Sequence, residues 1–358
     1  MRLNDAGKTG GARLIFPGIR ISGQSLTCTP LSTIMICNND AVERNIMTHC
    51  FVDSATPMPE RVSPATRTTS AANPDARLKS PLRYPGGKAR VVRMLLEHVP
   101  PHQDYREVFA GGAALFFAKP LVSQNWINDL HPGLHAFYIG VRDCYDEFAG
   151  ECLKQTGDLA DRFRYWAGRR DLMEATGDAF LLERAVQFFF LNRTIWGGRV
   201  VFDPRRKSRL YFSNPEGWYN IRKRLDDLKQ VSAKLRKTKV TCLDFADCLA
   251  GAGPEAFVYC DPPYIRDSGC HLTDKLYEKT FTYACHERLS RLLGTSKARI
   301  MISYDDCTAA RELYPARKWR HVELQWKYCG RYAVTKEAKA SGEKEKKVDG
   351  RELLILNY

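Results

Sequence analysis

The sequence predicts an α/β fold, an about seven-stranded and mostly parallel Rossmann-like sheet with a mainly helical region inserted in it. Three observations carry the prediction. The run Phe257-Val258-Tyr259-Cys260 is apolar, β-branched and aromatic, and stops at Asp261-Pro262-Pro263-Tyr264, so a buried strand ends at a rigid acidic corner. Residues 105–109 read as a strand, Ala110-Gly111-Gly112-Ala113 as a tight turn and 114–118 as the start of a helix, the order of a nucleotide-binding unit. Further strand patterns at 126–130, 239–243, 299–303, 320–326 and 352–357 bring the total to seven.

The 358 residues are 44% hydrophobic and 27% charged, an ordinary globular composition with room for one large domain or two. A formal charge of +14 and a pI near 9.2 point to a polyanion such as nucleic acid, with an anionic membrane surface as the competing reading. No stretch reaches the roughly 18 consecutive apolar residues of a membrane-spanning helix, and the short apolar patch 31–37 lacks the compact basic start of a signal peptide. Twelve cysteines are scattered without a Cys-x-x-Cys pair or nearby paired histidines. Reduced thiols in a cytoplasmic protein are therefore expected, with no metal site.

Residues 1–79 are rich in Ser, Thr, Pro and Asn and are expected to form a poorly ordered leader. Internal methionines at Met35, Met47 and Met58 leave open a start further in. The leader holds nine basic and six acidic residues, so +11 of the +14 belongs to the rest of the chain.

Order is expected from Ser80-Pro81-Leu82-Arg83-Tyr84-Pro85-Gly86-Gly87-Lys88, followed by a helical pattern that Pro100-Pro101 stops. A glycine pair before a helix brings bare amides toward a ligand. It is not a Walker loop, since Leu82 and Ala89 stand where that pattern needs Gly and Ser or Thr. About twenty residues after Phe109, the second strand ends in Asp129, placed to accept from a ribose diol.

From 135 to 192 the periodicity is helical, with a broad apolar face. His131 and His135 are four apart, but Pro132-Gly133 between them argues against a metal pair. Residues 199–239 carry thirteen Lys and Arg against four Asp and Glu, interleaved with Phe202, Tyr211, Phe212, Trp218 and Tyr219. A solvated basic face is the ordinary reading of such a run, and a phosphate-tracking segment is the sharper one.

In this order the motifs resemble the Dam-like, D12 class of S-adenosylmethionine-dependent DNA adenine-N6 methyltransferases, over roughly residues 81–358. The resemblance implies a methyltransferase catalytic domain at 80–135 and 237–358, and a target-recognition insertion at 136–236. It implies that Tyr84, Pro85, Gly86, Gly87, Lys88, Phe109, Gly111, Gly112, Asp129, Asp244 and Phe245 hold S-adenosylmethionine. Asp261, Pro262, Pro263 and Tyr264 would be catalytic, and Arg193, Trp196, Arg199, Arg205, Arg206 and Lys207 would bind double-stranded DNA. A monomer, encoded by a bacterium or a phage, is expected. Val108 departs from a common proline and Ala113 from a common third glycine.

The residue types suit that chemistry. An adenine amine is a poor nucleophile and needs acceptors for its hydrogens, which Asp261 and the Pro262 carbonyl provide, with Tyr264 to stack on a flipped base. Cys260 points to the opposite side of its strand and is a core residue. Cytosine N4, RNA adenine and protein glutamine are rival planar amines. Asp before Pro-Pro-Tyr favours adenine by the resemblance, and the basic segment disfavours a protein. A non-catalytic DNA-binding relative is the remaining alternative.

Overall fold

The computed structural model describes residues 77–175, 179–200, 210–265, 281–327 and 349–358. Seven strands form one sheet: β1 (Asp104–Glu107), β2 (Gln124–Asn128), β3 (Lys239–Thr241), β4 (Ala256–Cys260), β5 (Arg299–Asp305), β6 (Arg320–Lys327) and β7 (Asp349–Leu356). Their order is β3-β2-β1-β4-β5-β7-β6. The first five pair in parallel, and β7 runs antiparallel between β5 and β6. Each expected strand is present, within a few residues of its expected ends.

β4 is buried along its whole length, which is why it reads as a continuous apolar run. Phe257 and Tyr259 join the hydrophobic cluster on one face of the sheet, Val258 and Cys260 the cluster on the other. The same parity separates Met301 from Ile300 and Ile302 on β5, and Leu354 from Leu353 and Ile355 on β7.

Helices Phe245–Leu249, Tyr283–Thr295 and Thr308–Leu313 supply the second cluster. Between β2 and β3 the regular structure among the described residues is helical, with Pro132–Asp143, Leu181–Thr194 and Ile221–Leu235 as the long members. Leu134, Phe137, Phe188 and Leu228 from these helices share one cluster with Tyr105, Ile127 and Val240 of the sheet. The helical region is thus built into the first face of the sheet.

His131 caps the Pro132–Asp143 helix: its Nδ1 accepts from the amides of Gly133 (3.0 Å) and Leu134 (3.3 Å), and its Nε2 lies 3.2 Å from the Val200 carbonyl. With both ring nitrogens so engaged, the ring serves the helix end. Among the described residues no group of three or more His, Cys, Asp or Glu is arranged to hold a metal, and no helix is long and apolar enough to cross a membrane. Most of the expected leader lies outside the described residues. Leu78 already donates its amide to the Phe117 carbonyl at 2.8 Å, two residues before the expected onset of order.

Candidate active site

The C-terminal ends of β1, β2, β3 and β4 carry Phe109, Asp129, Asp244 and Asp261 in turn. These four strands are neighbours in the sheet, and the chain reverses its order of winding between β1 and β4, where open α/β sheets form a ligand crevice. Asn128 joins three of the ends. Its side-chain amide donates to the carbonyls of Val108 (3.1 Å) and Leu243 (3.0 Å), and its oxygen accepts from Thr241 Oγ1 (2.7 Å) and the Leu243 amide (2.9 Å).

The two glycine segments pack on each other. A Cβ at Gly111, where φ is +47°, would meet the Tyr84 ring at 2.7 Å, so the ring packs against bare backbone. Ser80 Oγ donates to the Gly112 carbonyl at 2.5 Å and the Tyr138 hydroxyl to the Gly111 carbonyl at 2.7 Å. Ala113 adopts φ 49°, ψ 43°, a left-handed conformation that explains why glycine is the common residue there. Val108 donates its amide to the Tyr259 carbonyl at 3.1 Å, a bond that the common proline would lack.

Asp129 accepts from the Gly111 amide (2.8 Å) on one oxygen and from the His131 amide (2.9 Å) on the other. Burial pushes its carboxyl up, against these bonds. Each oxygen retains a lone pair for a further donor. Beside it, Asp244 caps the Phe245–Leu249 helix through the Ala246 amide (2.9 Å) and pairs with Arg288 at 2.9 Å. Phe109, Phe245 and Phe281 form a triad with ring centroids 5.6–5.8 Å apart, and Arg288 lies over Phe245. Phe281 is a residue that the motif pattern did not single out.

At the corner after β4, Lys88 Nζ donates to both oxygens of Asp261, at 2.7 and 2.8 Å, and to the Gly86 carbonyl at 3.1 Å. It also lies 3.3 Å from Glu352 Oε1 and 4.8 Å from the centre of the Tyr264 ring. The Tyr264 hydroxyl donates to the same Glu352 oxygen at 2.5 Å. Glu352 is 1% exposed and Asp261 19%, so one ammonium serves two carboxylates in a low-dielectric corner. Burial pulls the Lys88 ammonium down, but Asp261 and then Glu352 outweigh it and hold its pKa above the ordinary value. Burial pushes both carboxyls up, with Lys88 opposing. Lys88 was expected among the cofactor residues, and its ammonium is found on Asp261. The sequence marks Glu352 only as the first residue of the closing strand, because nothing local to an acid 264 positions from Lys88 announces that pairing.

Of the residues expected at DNA, Arg193 is buried at the end of the Leu181–Thr194 helix, Trp196 is 59% exposed and Arg199 is half-buried. Arg205, Arg206 and Lys207 lie outside the described residues. Asn192 ties this segment to the glycine loop: it accepts from the Arg83 amide (3.2 Å) and donates to the carbonyls of Arg83 (2.7 Å) and Gly198 (2.9 Å). A Cβ at Gly198 would sit 2.3 Å from the Arg83 carbonyl, which explains a glycine there. Burial, then Arg224 and Arg83, pulls the Arg193 guanidinium down to about 9. Its Nε is buried without a hydrogen-bond partner among the described residues.

This sheet order, with its acidic and glycine-rich crevice, defines an α/β enzyme of the Rossmann-like methyltransferase class. The comparisons narrow the class. A family model described as D12 class N6 adenine-specific DNA methyltransferase matches residues 84–328. The chain is 29% identical over 204 residues to the type II methyltransferase M.MjaIII of Methanocaldococcus jannaschii, which covers 51% of this chain and 68% of that protein. It is 24% identical over 286 residues to the DNA adenine methylase of Salmonella typhi, and 25% identical over 281 to that of Escherichia coli, each covering 77% of this chain and 94% of the relative. The chain belongs to the D12 class N6 adenine-specific DNA methyltransferase family, and its activity is the methylation of adenine in DNA.

Proposed function

We propose that the protein transfers the methyl group of S-adenosylmethionine to N6 of an adenine flipped out of double-stranded DNA, with Asp261, Pro262, Pro263 and Tyr264 as the transfer site. The observation that carries this assignment is the bidentate hold of Asp261 on the Lys88 ammonium. A carboxylate at the switch-point crevice that already accepts from one cationic nitrogen is suited to the amine of a base.

The amine's lone pair is delocalised into the ring. Asp261 and the Pro262 carbonyl would hold its hydrogens while the nitrogen turns tetrahedral, and the carboxylate stabilises the positive charge that develops there. The Tyr264 ring would stack on the base, worth about 1–3 kcal/mol. Its hydroxyl, tied to buried Glu352, fixes the plane of the ring.

The crevice residues fit S-adenosylmethionine: the Asp129 oxygens have lone pairs for a ribose diol, Phe109 and Phe245 offer aromatic faces for an adenine, and Gly111 keeps its backbone bare. That group supplies an activated methyl on a sulfonium. The chain's own contribution is to orient donor and acceptor and to keep the corner dry.

On the DNA side, the exposed Trp196 and the partly exposed Arg83 and Arg224 support a phosphate- and base-contacting surface, with the buried Arg193 guanidinium close enough to feel their charge. Mutually repelling guanidiniums are relieved by an anion, and DNA brings phosphates. In this reading residues 136–236 recognise the target, 80–135 and 237–358 catalyse, and a monomer suffices. Asp261→Ala is expected to lower turnover of tritium-labelled methyl groups onto DNA about 100-fold or more, while DNA affinity stays within a few-fold. Unchanged turnover would overturn the assignment of the site.

A further inference from the structure

Resting on that reading of the Asp261 corner, we infer that Glu352 is a positioning residue that takes Lys88 off Asp261 when the target amine arrives. Lys88 now sits where the substrate nitrogen belongs. Its Nζ donates to both Asp261 oxygens and lies over the Tyr264 ring, the two contacts assigned above to the adenine. The fold thus fills the amine seat with its own ammonium, and a carboxylate so occupied cannot take the N6 hydrogens in full.

The ammonium therefore has to move, and a lysine buried to 7% exposure cannot move to water without uncovering the corner. Among the described residues one acceptor pair stands within reach. Glu352 Oε1 is 3.3 Å from Nζ, against 2.7 Å for the nearer Asp261 oxygen, and the Gly86 carbonyl at 3.1 Å holds the ammonium from the same loop. A swing of the ammonium toward Glu352, far enough to admit the amine nitrogen at Asp261, turns the weaker contact into the stronger one. Glu352 is rigid enough for this duty, since β7 is paired on both edges and the Tyr264 hydroxyl pins the same oxygen. The charge balance agrees. Lys88 on Glu352 forms a neutral pair, and Asp261 is left as a full carboxylate facing the nitrogen on which positive charge develops.

Glu352→Gln keeps an oxygen for Tyr264 but removes the charge that draws Lys88 away. With DNA from a methylation-deficient bacterium and labelled S-adenosylmethionine, it is expected to lower kcat about tenfold or more, since a charged acceptor is lost, with KM for the methyl donor within about twofold. The effect depends on Lys88. In a Lys88→Met background, Glu352→Gln is expected to leave kcat unchanged or raise it, because no ammonium remains to be moved. An unaltered kcat in the single variant, or an equal loss in both backgrounds, would overturn the proposal. Should Glu352→Gln fail to fold, Glu352→Asp, which withdraws the carboxylate from Lys88 and from the Tyr264 hydroxyl alike, replaces it, with a larger loss of kcat expected when Lys88 is present than in the Lys88→Met background.

A readout free of turnover is a cocrystal of the wild-type protein with an unreactive cofactor analogue and the duplex identified by modified-base sequencing. Lys88 Nζ on Glu352, with at least one Asp261 oxygen on the base, supports the transfer; Lys88 still on both Asp261 oxygens overturns it. An active wild type with Glu352-independent kcat rejects this inference alone, whereas retained activity in Asp261→Ala rejects the site reading beneath it.

Discussion

Glu107, at the end of β1, accepts on one oxygen from the Tyr105 hydroxyl (2.7 Å) and from the Phe116 amide (2.9 Å), holding the helix after the glycine turn against the strand before it. Burial pushes its carboxyl from the ordinary 4.5 up to about 8, against those two bonds. The folded state thus keeps a proton that the unfolded chain releases above pH 4.5. The stability this supplies is fully present below that pH, declines as pH rises and is gone by about 8. Glu107→Gln preserves both accepted bonds and cannot ionise. Its advantage in thermal stability over the wild type is expected to grow from pH 5 to pH 8, reaching on the order of a few kcal/mol. Lys119, pulled down to about 7 by burial and by Lys234, runs in the opposite sense above that pH, so the difference between the two proteins is the quantity to read. A gap that does not widen with pH would mean that Glu107 is ionised in the fold.

At the scale of elements, the crevice depends on how strand ends are joined. From the end of β2, Asn128 satisfies four polar groups, one at the end of β1 and three at the end of β3. Asn128→Ala leaves these groups without their partner, and is expected to cost about 3 kcal/mol or more in urea unfolding and to weaken methyl-donor binding. Loss of stability with unchanged donor affinity would show that the three ends hold their places without it. The strands themselves are legible in the sequence because each declares its environment locally: β4 as an unbroken apolar run, β1 and β2 by their abrupt stops at Ala110-Gly111-Gly112 and Asp129. The acids at those stops were legible for the same reason. The joins were not. Asn128 to Leu243, Asn192 to Arg83 and Glu352 to Lys88 span 115, 109 and 264 positions, and no periodicity connects residues so far apart. The helices between β2 and β3 were legible as helices, yet their sharing of one core with Tyr105 and Val240 is a tertiary fact that their amphipathic faces leave open.

At the scale of the whole molecule, the charge of +14 is unevenly held, and thirteen of the 55 Lys and Arg fall in residues 199–239. Association with DNA driven by such a segment releases counterions, so the logarithm of affinity falls with the logarithm of salt by about 0.9 for each phosphate neutralised. Replacing Arg205, Arg206 and Lys207 together with Gln is expected to weaken binding by a similar factor on every DNA sequence, and to reduce the salt slope by up to about 3. A change in preference between sequences would instead make these residues base readers. An unchanged slope would move the electrostatic footprint to Arg83, Arg193 and Arg224, where burial first and neighbouring guanidiniums second pull Arg193 and Arg224 down. The slopes separate the two surfaces because phosphate contacts carry the salt dependence while base contacts carry the choice of sequence.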